Sequence, residues 1–221
     1  PYMFNDYDQI EKVVDGQVGE ILNDKLVKQE GMRIIGWVHI GFRDMMTKGK
    51  AIRSLEDFKG VKFRSPEAFA YIEMFKALGA VPTPLPWTEV YQAMKTNLVD
   101  GLETTPEGMV TSKVNEVGKY LTVTNHINTV ECITISEAFY QSLPDDVKKA
   151  MDETLAELVP WQRETVIIKN DKYLKQLADE GCEIIEIDTA PLQAAMQVVW
   201  DKFIVDCPSA QELITMIKAQ Q

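Results

Sequence analysis

The residues best suited to bind a ligand stand at the ends of three predicted strands. Arg64 ends the first strand, Trp87 follows the second, and Glu103 with Thr104 ends the third. Ligands of open α/β sheets bind beyond the carboxyl ends of the strands, so we expect these side chains to meet on one rim. An arginine there can hold a carboxylate through two parallel hydrogen bonds, which a lysine cannot. The pattern predicts a site for an organic anion, with the alternative that Arg64 only pairs with a nearby acid.

Three strands and two helices must position this rim, and residues 60–104 carry the pattern for them. Ser65 and Pro66 predict that a helix begins directly after the first strand, and Thr88 predicts the start of the second helix. Such a β-α-β-α-β unit has parallel strands joined by right-handed crossovers. It would place a helix N-terminus, whose free N–H groups favour an anion, beside Arg64.

A long helical pattern in the second half of the chain predicts how larger parts are joined. It runs from a cap at Ser142 to about Glu180, with Pro160 inside it. At 1.5 Å per residue such a helix spans roughly 50 Å, which is more than one small domain needs. We therefore expect a strut between two lobes, bent at Pro160. Because the sequence has no flexible linker, the chain should cross between the lobes more than once.

Composition excludes several classes of partner. The chain has 221 residues and a net charge of −11, which argues against nucleic acid or an anionic membrane surface as partner. No apolar run approaches the roughly 20 residues of a membrane span, so a membrane-embedded protein is not expected. The three cysteines show no metal-binding spacing, and a disulfide between Cys182 and Cys207 is left open.

Catalytic motifs are missing from the sequence. It contains no nucleophile elbow, no phosphate-binding glycine loop and no zinc-protease helix. His39 and His126 are the only histidines, which leaves little for a catalytic triad or a histidine metal site. We therefore predict no catalytic residues, no metal and no cofactor.

Five segments, taken together, resemble one known family. They are GFR at 41–43, LEDFKGVKFRSP at 55–66, FKALGAVPTPLPWTEVYQAM at 75–94, VDGLET at 99–104 and KYLTVTNH at 119–126. In this order they resemble the substrate-binding proteins of tripartite ATP-independent periplasmic (TRAP) transporters, the DctP-like family, over essentially the whole chain. Family members usually carry a signal peptide and a further N-terminal part, so we expect the first lobe to be incomplete here.

The resemblance implies an α/β, two-lobed fold like that of periplasmic binding proteins, with a long helix spanning both lobes. Residues 1–41 and 130–169 would form part of the first lobe. Residues 42–129 and 170–221 would form the second.

The resemblance also implies a function. The protein would capture a small organic acid between its lobes in the periplasm and deliver it to a TRAP membrane permease. It would not be an enzyme. The alternatives are an enzyme on the same scaffold and a ligand-sensing domain of a regulator or receptor.

Residue roles follow from the matching motifs. Arg64 falls on the family's carboxylate-binding arginine, Arg43 on a second arginine near the cleft, and Trp87 on the aromatic that packs on the ligand. His126 falls on the histidine of the TNH triplet. Both His126 and His39 are weaker candidates than the arginines and Trp87, with a role in the core as the alternative for each.

Two positions depart from the family pattern. The pair Glu103-Thr104 falls on a pocket-side pair often written Glu-Asn, so Thr104 lacks an amide that can both donate and accept. Glu67 falls on a position often held by a small polar residue and brings a negative charge toward an anion site. We expect Glu67 to face away, to pair with an arginine, or to meet a hydroxyl or amine of the ligand.

Overall fold

The computed structural model of the protein describes residues 1–220, which form ten α-helices and six β-strands. The helices are α1 (Tyr7–Val14), α2 (Gln17–Glu30), α3 (Phe69–Ala77), α4 (Val90–Lys95), α5 (Pro106–Thr111), α6 (Glu137–Ser142), α7 (Asp145–Asp179), α8 (Ala190–Ala195), α9 (Gln197–Asp206) and α10 (Ala210–Lys218). The strands are β1 (Met32–Thr47), β2 (Lys62–Ser65), β3 (Val81–Pro84), β4 (Gly101–Thr104), β5 (Tyr120–Ser136) and β6 (Glu183–Glu186). Short 3₁₀ helices cover Leu55–Phe58, Trp87–Glu89 and Val114–Glu116.

One mixed sheet carries the strands in the order β3-β2-β4-β1-β5-β6. Strand β2 runs parallel to both β3 and β4, and Arg64 is paired with Thr83 on one side and Leu102 on the other. The predicted parallel β-α-β-α-β unit is therefore confirmed. Strand β1 pairs antiparallel with β4, where Met45 lies opposite Glu103.

The chain divides into two compact units. The first contains residues 1–2, 42–127 and 169–211, and the second contains residues 3–41, 128–168 and those from 212 on. The chain changes units between residues 2 and 3 and within β1, β5, α7 and α10. The predicted lobes differ at the C-terminus, because Gln9 of α1 donates its side-chain N–H to the carbonyl of Ile217 at 3.3 Å. Helix α10 therefore packs in the unit of α1.

The core of the first unit consists of two apolar clusters. One contains Phe58, Phe63 and Phe75, with Phe63 and Phe75 stacked at 4.7 Å between ring centres. The other is built around Leu102 and Leu177, which are fully buried. Successive strand residues point to opposite faces of a sheet. Because Phe63 of β2 and Leu102 of β4 are buried in these clusters, the neighbouring residues Arg64 and Glu103 each point to the face of their own strand opposite the buried residue.

Two predicted helix starts are wrong. Ser65 is the last residue of β2, and α3 begins only at Phe69. Glu67 and Ala68 form a bend after Pro66, and Ala68 rather than Ser65 is the extended residue directly before α3. Thr88 lies within the 3₁₀ helix Trp87–Glu89, and α4 starts after it. No helix N-terminus therefore directly follows Arg64.

The predicted long helix is confirmed, since α7 is 35 residues long and continues through Pro160. Its start differs from the prediction, because Ser142 ends the separate helix α6. All three cysteines are free thiols, so Cys182 and Cys207 form no disulfide. Among residues 1–220, no helix is both long and apolar enough to cross a membrane.

Strand β5 departs from regular geometry at Thr124 and Asn125, a two-residue segment that we call the bulge. Asn125 has φ of +45°, a left-handed conformation that interrupts a regular strand. The N–H groups of Thr124 and Asn125 both donate to Oδ1 of Asp44, at 2.9 and 3.0 Å. The side chain of Asp44 thus serves as acceptor for two consecutive N–H groups at the bulge.

The pKa of the Asp44 carboxyl makes the stability of the fold depend on pH. Burial raises this pKa to about 7, although the N–H groups of Asn125 and Thr124 partly oppose the rise. An unfolded aspartate ionises at about 3.9, so between about 3.9 and 7 only the folded state holds the proton. The free energy of unfolding therefore falls as pH rises across this range.

We predict that Asp44→Asn removes this fall in the free energy of unfolding with rising pH, because asparagine does not ionise. Relative to wild type, the variant should gain free energy of unfolding as pH rises from about 4 to about 7.5. Urea denaturation at several pH values measures the difference. Asp100→Asn is the control, because exposed Asp100 also accepts a backbone N–H, from Lys62 at 2.9 Å. Stability curves for Asp44→Asn and wild type that run parallel over this range would contradict the assignment.

Candidate functional site

A buried ion pair joins β1 to β4. Arg43 Nε lies 2.5 Å from Glu103 Oε2, and Arg43 Nη2 lies 2.8 Å from Oε1. Nη2 also donates to the main-chain carbonyl of Glu103 at 3.1 Å. Glu103 is fully buried, and the Arg43 side chain is 12% exposed. The geometry is bidentate, the strongest arrangement for a guanidinium and a carboxylate.

His126 of β5 extends this pair into a network. Its Nε2 lies 3.3 Å from Glu103 Oε2, and its Nδ1 lies 2.8 Å from the hydroxyl of Thr124. Burial lowers the pKa of His126 more than Glu103 raises it. The imidazole is therefore neutral near pH 7. Because a carboxylate can only accept, Nε2 carries the proton and Nδ1 accepts from Thr124.

The network fixes the charge of its members. Burial alone would raise the pKa of Glu103, but Arg43 and His126 together hold it below its usual value. Burial likewise lowers the pKa of Arg43, and Glu103 more than reverses that effect. Arg43 and Glu103 are both ionised and neutralise each other. Glu103 has both carboxylate oxygens occupied by Arg43 and His126.

Arg64 lies near this network but carries a charge that no acid balances. The residue is only 5% exposed, and its Nε donates to the carbonyl of Leu85 at 2.9 Å. Its guanidinium carbon lies 5.3 Å from the ring centre of Trp87. Within residues 1–220 no carboxylate lies at ion-pair distance from Arg64. Burial lowers the pKa of Arg64, Glu103 opposes this, and Arg43 lowers it further.

Trp87 is the exposed member of the cluster, with 41% of its surface open to solvent. An indole of this size at the surface is available for contact with an apolar or ring-shaped ligand. Its contact with Arg64 is a cation–π interaction, which also orients the guanidinium. The structure thus brings Arg64, Trp87, Arg43, Glu103 and His126 together, all within the first unit.

Thr104 and Glu67 are the other two predicted ligand residues in the first unit. Thr104 is 5% exposed, and a β-carbon added to Gly108 of α5 would lie 2.6 Å from its hydroxyl oxygen. The Thr104 side chain is therefore packed against α5. Glu67 is exposed in the bend between β2 and α3.

His39 belongs to the second unit. It is fully buried, its Nε2 lies 3.2 Å from a carboxylate oxygen of Glu11, and its ring centre lies 4.9 Å from that of Tyr7. Burial lowers its pKa, although Glu11 opposes the shift. These contacts place His39 in the packing between β1 and α1, although its buried Nδ1 has no hydrogen-bond partner among the described residues. Its ligand role stays a prediction.

Three residues of the cluster were not predicted from the sequence. The ring centre of Tyr71 in α3 lies 5.4 Å from the Arg43 guanidinium carbon. Thr124 stands two residues before His126, and its hydroxyl reaches Nδ1 of His126 across the left-handed Asn125, a contact that regular strand spacing does not predict. Asp44 adjoins Arg43 in sequence, but no local signal marks its contact with β5. No cluster of three metal-binding side chains occurs in the described part of the chain.

We predict that Glu103→Ala destabilises the fold by about 3–5 kcal/mol, because it leaves the guanidinium of Arg43 buried and unpaired. Urea denaturation at pH 7 measures the loss. Glu183→Ala is the matched control, since Glu183 forms an exposed ion pair with Arg53 and should cost at most about 1 kcal/mol. Equal losses in the two variants would show that the buried pair does not hold the strands together.

Comparison with known proteins identifies the family. The model of the family described as bacterial extracellular solute-binding protein, family 7 (DctP) matches residues 1–206. The C4-dicarboxylate-binding periplasmic protein DctP of Rhodobacter capsulatus is 33% identical over 199 residues, which cover 90% of this chain and 59% of that protein. The sialic acid-binding periplasmic protein SiaP of Vibrio cholerae is 30% identical over 219 residues, which cover 99% of this chain and 67% of that protein. The chain thus spans about three fifths of the first of these relatives.

A solved structure supports the same assignment. The TRAP periplasmic solute-binding protein of Roseobacter denitrificans with bound β-D-glucuronate matches with a TM-score of 0.94 and 29% identity. The match covers 100% of this chain and 73% of that one. The predicted fold class and the resemblance to TRAP solute-binding proteins are confirmed. The chain belongs to the DctP family of bacterial extracellular solute-binding proteins.

Proposed function

We propose that this chain forms the acid-binding part of an extracytoplasmic solute-binding protein that captures a small organic acid. The protein acts in the periplasm and delivers the acid to a TRAP membrane permease. The named relatives support this proposal, because their ligands, a C4-dicarboxylate, sialic acid and glucuronate, are all carboxylates. The family is one of solute-binding proteins, and we propose no catalytic step for this chain.

The charge balance of the cluster is the observation that carries the proposal. Arg43 and Glu103 cancel, His126 is neutral, and one positive charge remains on Arg64. A nearly buried guanidinium without an acidic partner is costly in a folded protein. A ligand carboxylate supplies the missing negative charge and two acceptors in the geometry that a guanidinium prefers.

We assign the roles accordingly. Arg64 holds the carboxylate, and Trp87 covers an apolar face of the ligand. Arg43 adds a further donor, because Nη1 makes no hydrogen bond within residues 1–220 whereas Nε and Nη2 bind Glu103. Glu103 and His126 act on the ligand through Arg43, since the carboxylate of Glu103 is occupied. The resemblance implied a pocket-side position for Glu103, and in this proposal Glu103 reaches the ligand only through Arg43.

The predicted ligand roles of Thr104 and Glu67 depend on which substituents the acid carries. Thr104 offers one hydroxyl, whereas an asparagine at that position would offer separate donor and acceptor atoms. Glu67 is exposed and can meet a hydroxyl or an amine of the ligand without facing its carboxylate.

A thermal-shift screen with D-glucuronate, sialic acid and succinate tests the function. At a hundredfold excess over its dissociation constant, a true ligand should stabilise the wild-type protein by about 2.7 kcal/mol. Arg64→Ala should abolish this shift. Without ligand, the variant should melt within about 3 °C of wild type, because it loses one hydrogen bond to Leu85 and no ion pair.

Arg53→Ala provides the matched control, because Arg53 is an exposed arginine of the same unit that pairs with Glu183. It should keep the full ligand-induced shift. Unchanged binding by Arg64→Ala, or a wild-type protein that no organic acid stabilises, would overturn the proposed function.

A further inference from the structure

We propose that Asp44 is a positioning residue of the acid site. It holds the bulge of β5 in place, and the bulge aims His126 at Glu103, which in turn fixes Arg43. The effect on ligand affinity rests on the proposed function, whereas the effect on His126 does not.

The contacts of Asp44 are specific to the bulge. One oxygen of a carboxylate that is 1% exposed accepts the N–H groups of two consecutive residues, Thr124 and Asn125. In a regular antiparallel strand these neighbouring groups would point to opposite edges. They converge here because Asn125 is left-handed. Without the carboxylate the bulge would lose the acceptor for both groups, and the buried N–H of Thr124 would be unsatisfied.

The bulge contains the groups that orient the imidazole. Thr124 donates its hydroxyl to Nδ1 of His126, and this contact selects the tautomer whose Nε2–H points at Glu103. Bulges beside functional sites commonly re-aim one side chain. A shift of Thr124 and Asn125 would therefore change the direction of His126 and release one of the partners of Glu103.

The charge of Asp44 does not disturb the site. Asp44 and Arg43 are neighbours in β1, so their side chains leave opposite faces of the strand. The charged group that acts on Asp44 is Glu186 of β6, the strand beyond β5, and no arginine or lysine within residues 1–220 forms an ion pair with Asp44. Asp44 can thus fix the bulge without neutralising Arg43 or Arg64.

Imidazole ¹⁵N spectra of the ligand-free protein test the positioning role. The chain has two histidines, and His39 in the second unit serves as internal reference. Asp44→Ala should move the His126 signals toward a mixture of tautomers and leave those of His39 unchanged. Asp44→Asn keeps a side-chain oxygen that accepts, so it should restore the wild-type His126 signals.

A matched control separates this role from general stability. Asp100→Ala removes another carboxylate that accepts a backbone N–H in the same unit, from Lys62. It should leave the His126 signals and ligand affinity at wild-type values. If Asp44→Ala does not fold, Asp44→Ser takes its place, because its hydroxyl is too short to reach both N–H groups.

Titration with an acid found in the screen completes the test. Asp44→Ala should weaken ligand binding by about tenfold, the scale of losing a residue that orients a binding group. The ligand affinity of Asp44→Asn should stay close to that of wild type. Unmoved His126 signals in Asp44→Ala would overturn the positioning role. Moved His126 signals together with unchanged affinity would overturn its link to the ligand. If His126 moves but the wild-type protein binds no acid, the positioning role is supported and the proposed function fails.

Discussion

The bidentate pair between Arg43 and Glu103 is the interaction on which the site depends. A buried carboxylate is stable only when it is paired and hydrogen-bonded, and Glu103 is fully buried between two strands. Arg43 and His126 meet that requirement together. Because the negative charge of Glu103 is already balanced by Arg43, it does not neutralise Arg64. The internal pair therefore determines which arginine is left with an unbalanced charge.

This distribution is compatible with the proposed anion site in a protein whose net charge is −11. Charges on the surface are screened by salt within about 10 Å, whereas partly buried groups interact through a medium of lower dielectric constant. The field at the strand ends thus depends on Arg64 and Arg43 more than on the acidic surface. The aromatic ring of Trp87 adds an exposed face beside the guanidinium of Arg64.

The sequence predicted the parallel unit and the proximity of Arg64 to Trp87, because strand order and the right-handed crossover follow from local patterns. It did not predict the partner of Glu103. Arg43 and Glu103 are 60 residues apart, and only the register of β1 against β4 shows that they pair. The helix start at Ser65 was wrong because an extended serine followed by proline fits the end of a strand before a bend as well as it fits a helix cap. The bulge in β5 gave no signal, since Asn125 adopts a conformation usually taken by glycine.

The contact between Thr104 and Gly108 restricts how the site can change in evolution. The α-carbon of Gly108 comes so close to the Thr104 hydroxyl that any side chain at 108 would collide with it. An exchange at either position is then constrained by the other, and a longer residue at 104 could be accommodated only by turning away from α5. A residue larger than glycine at 108 therefore requires the Thr104 side chain to turn away from α5, which couples the two positions.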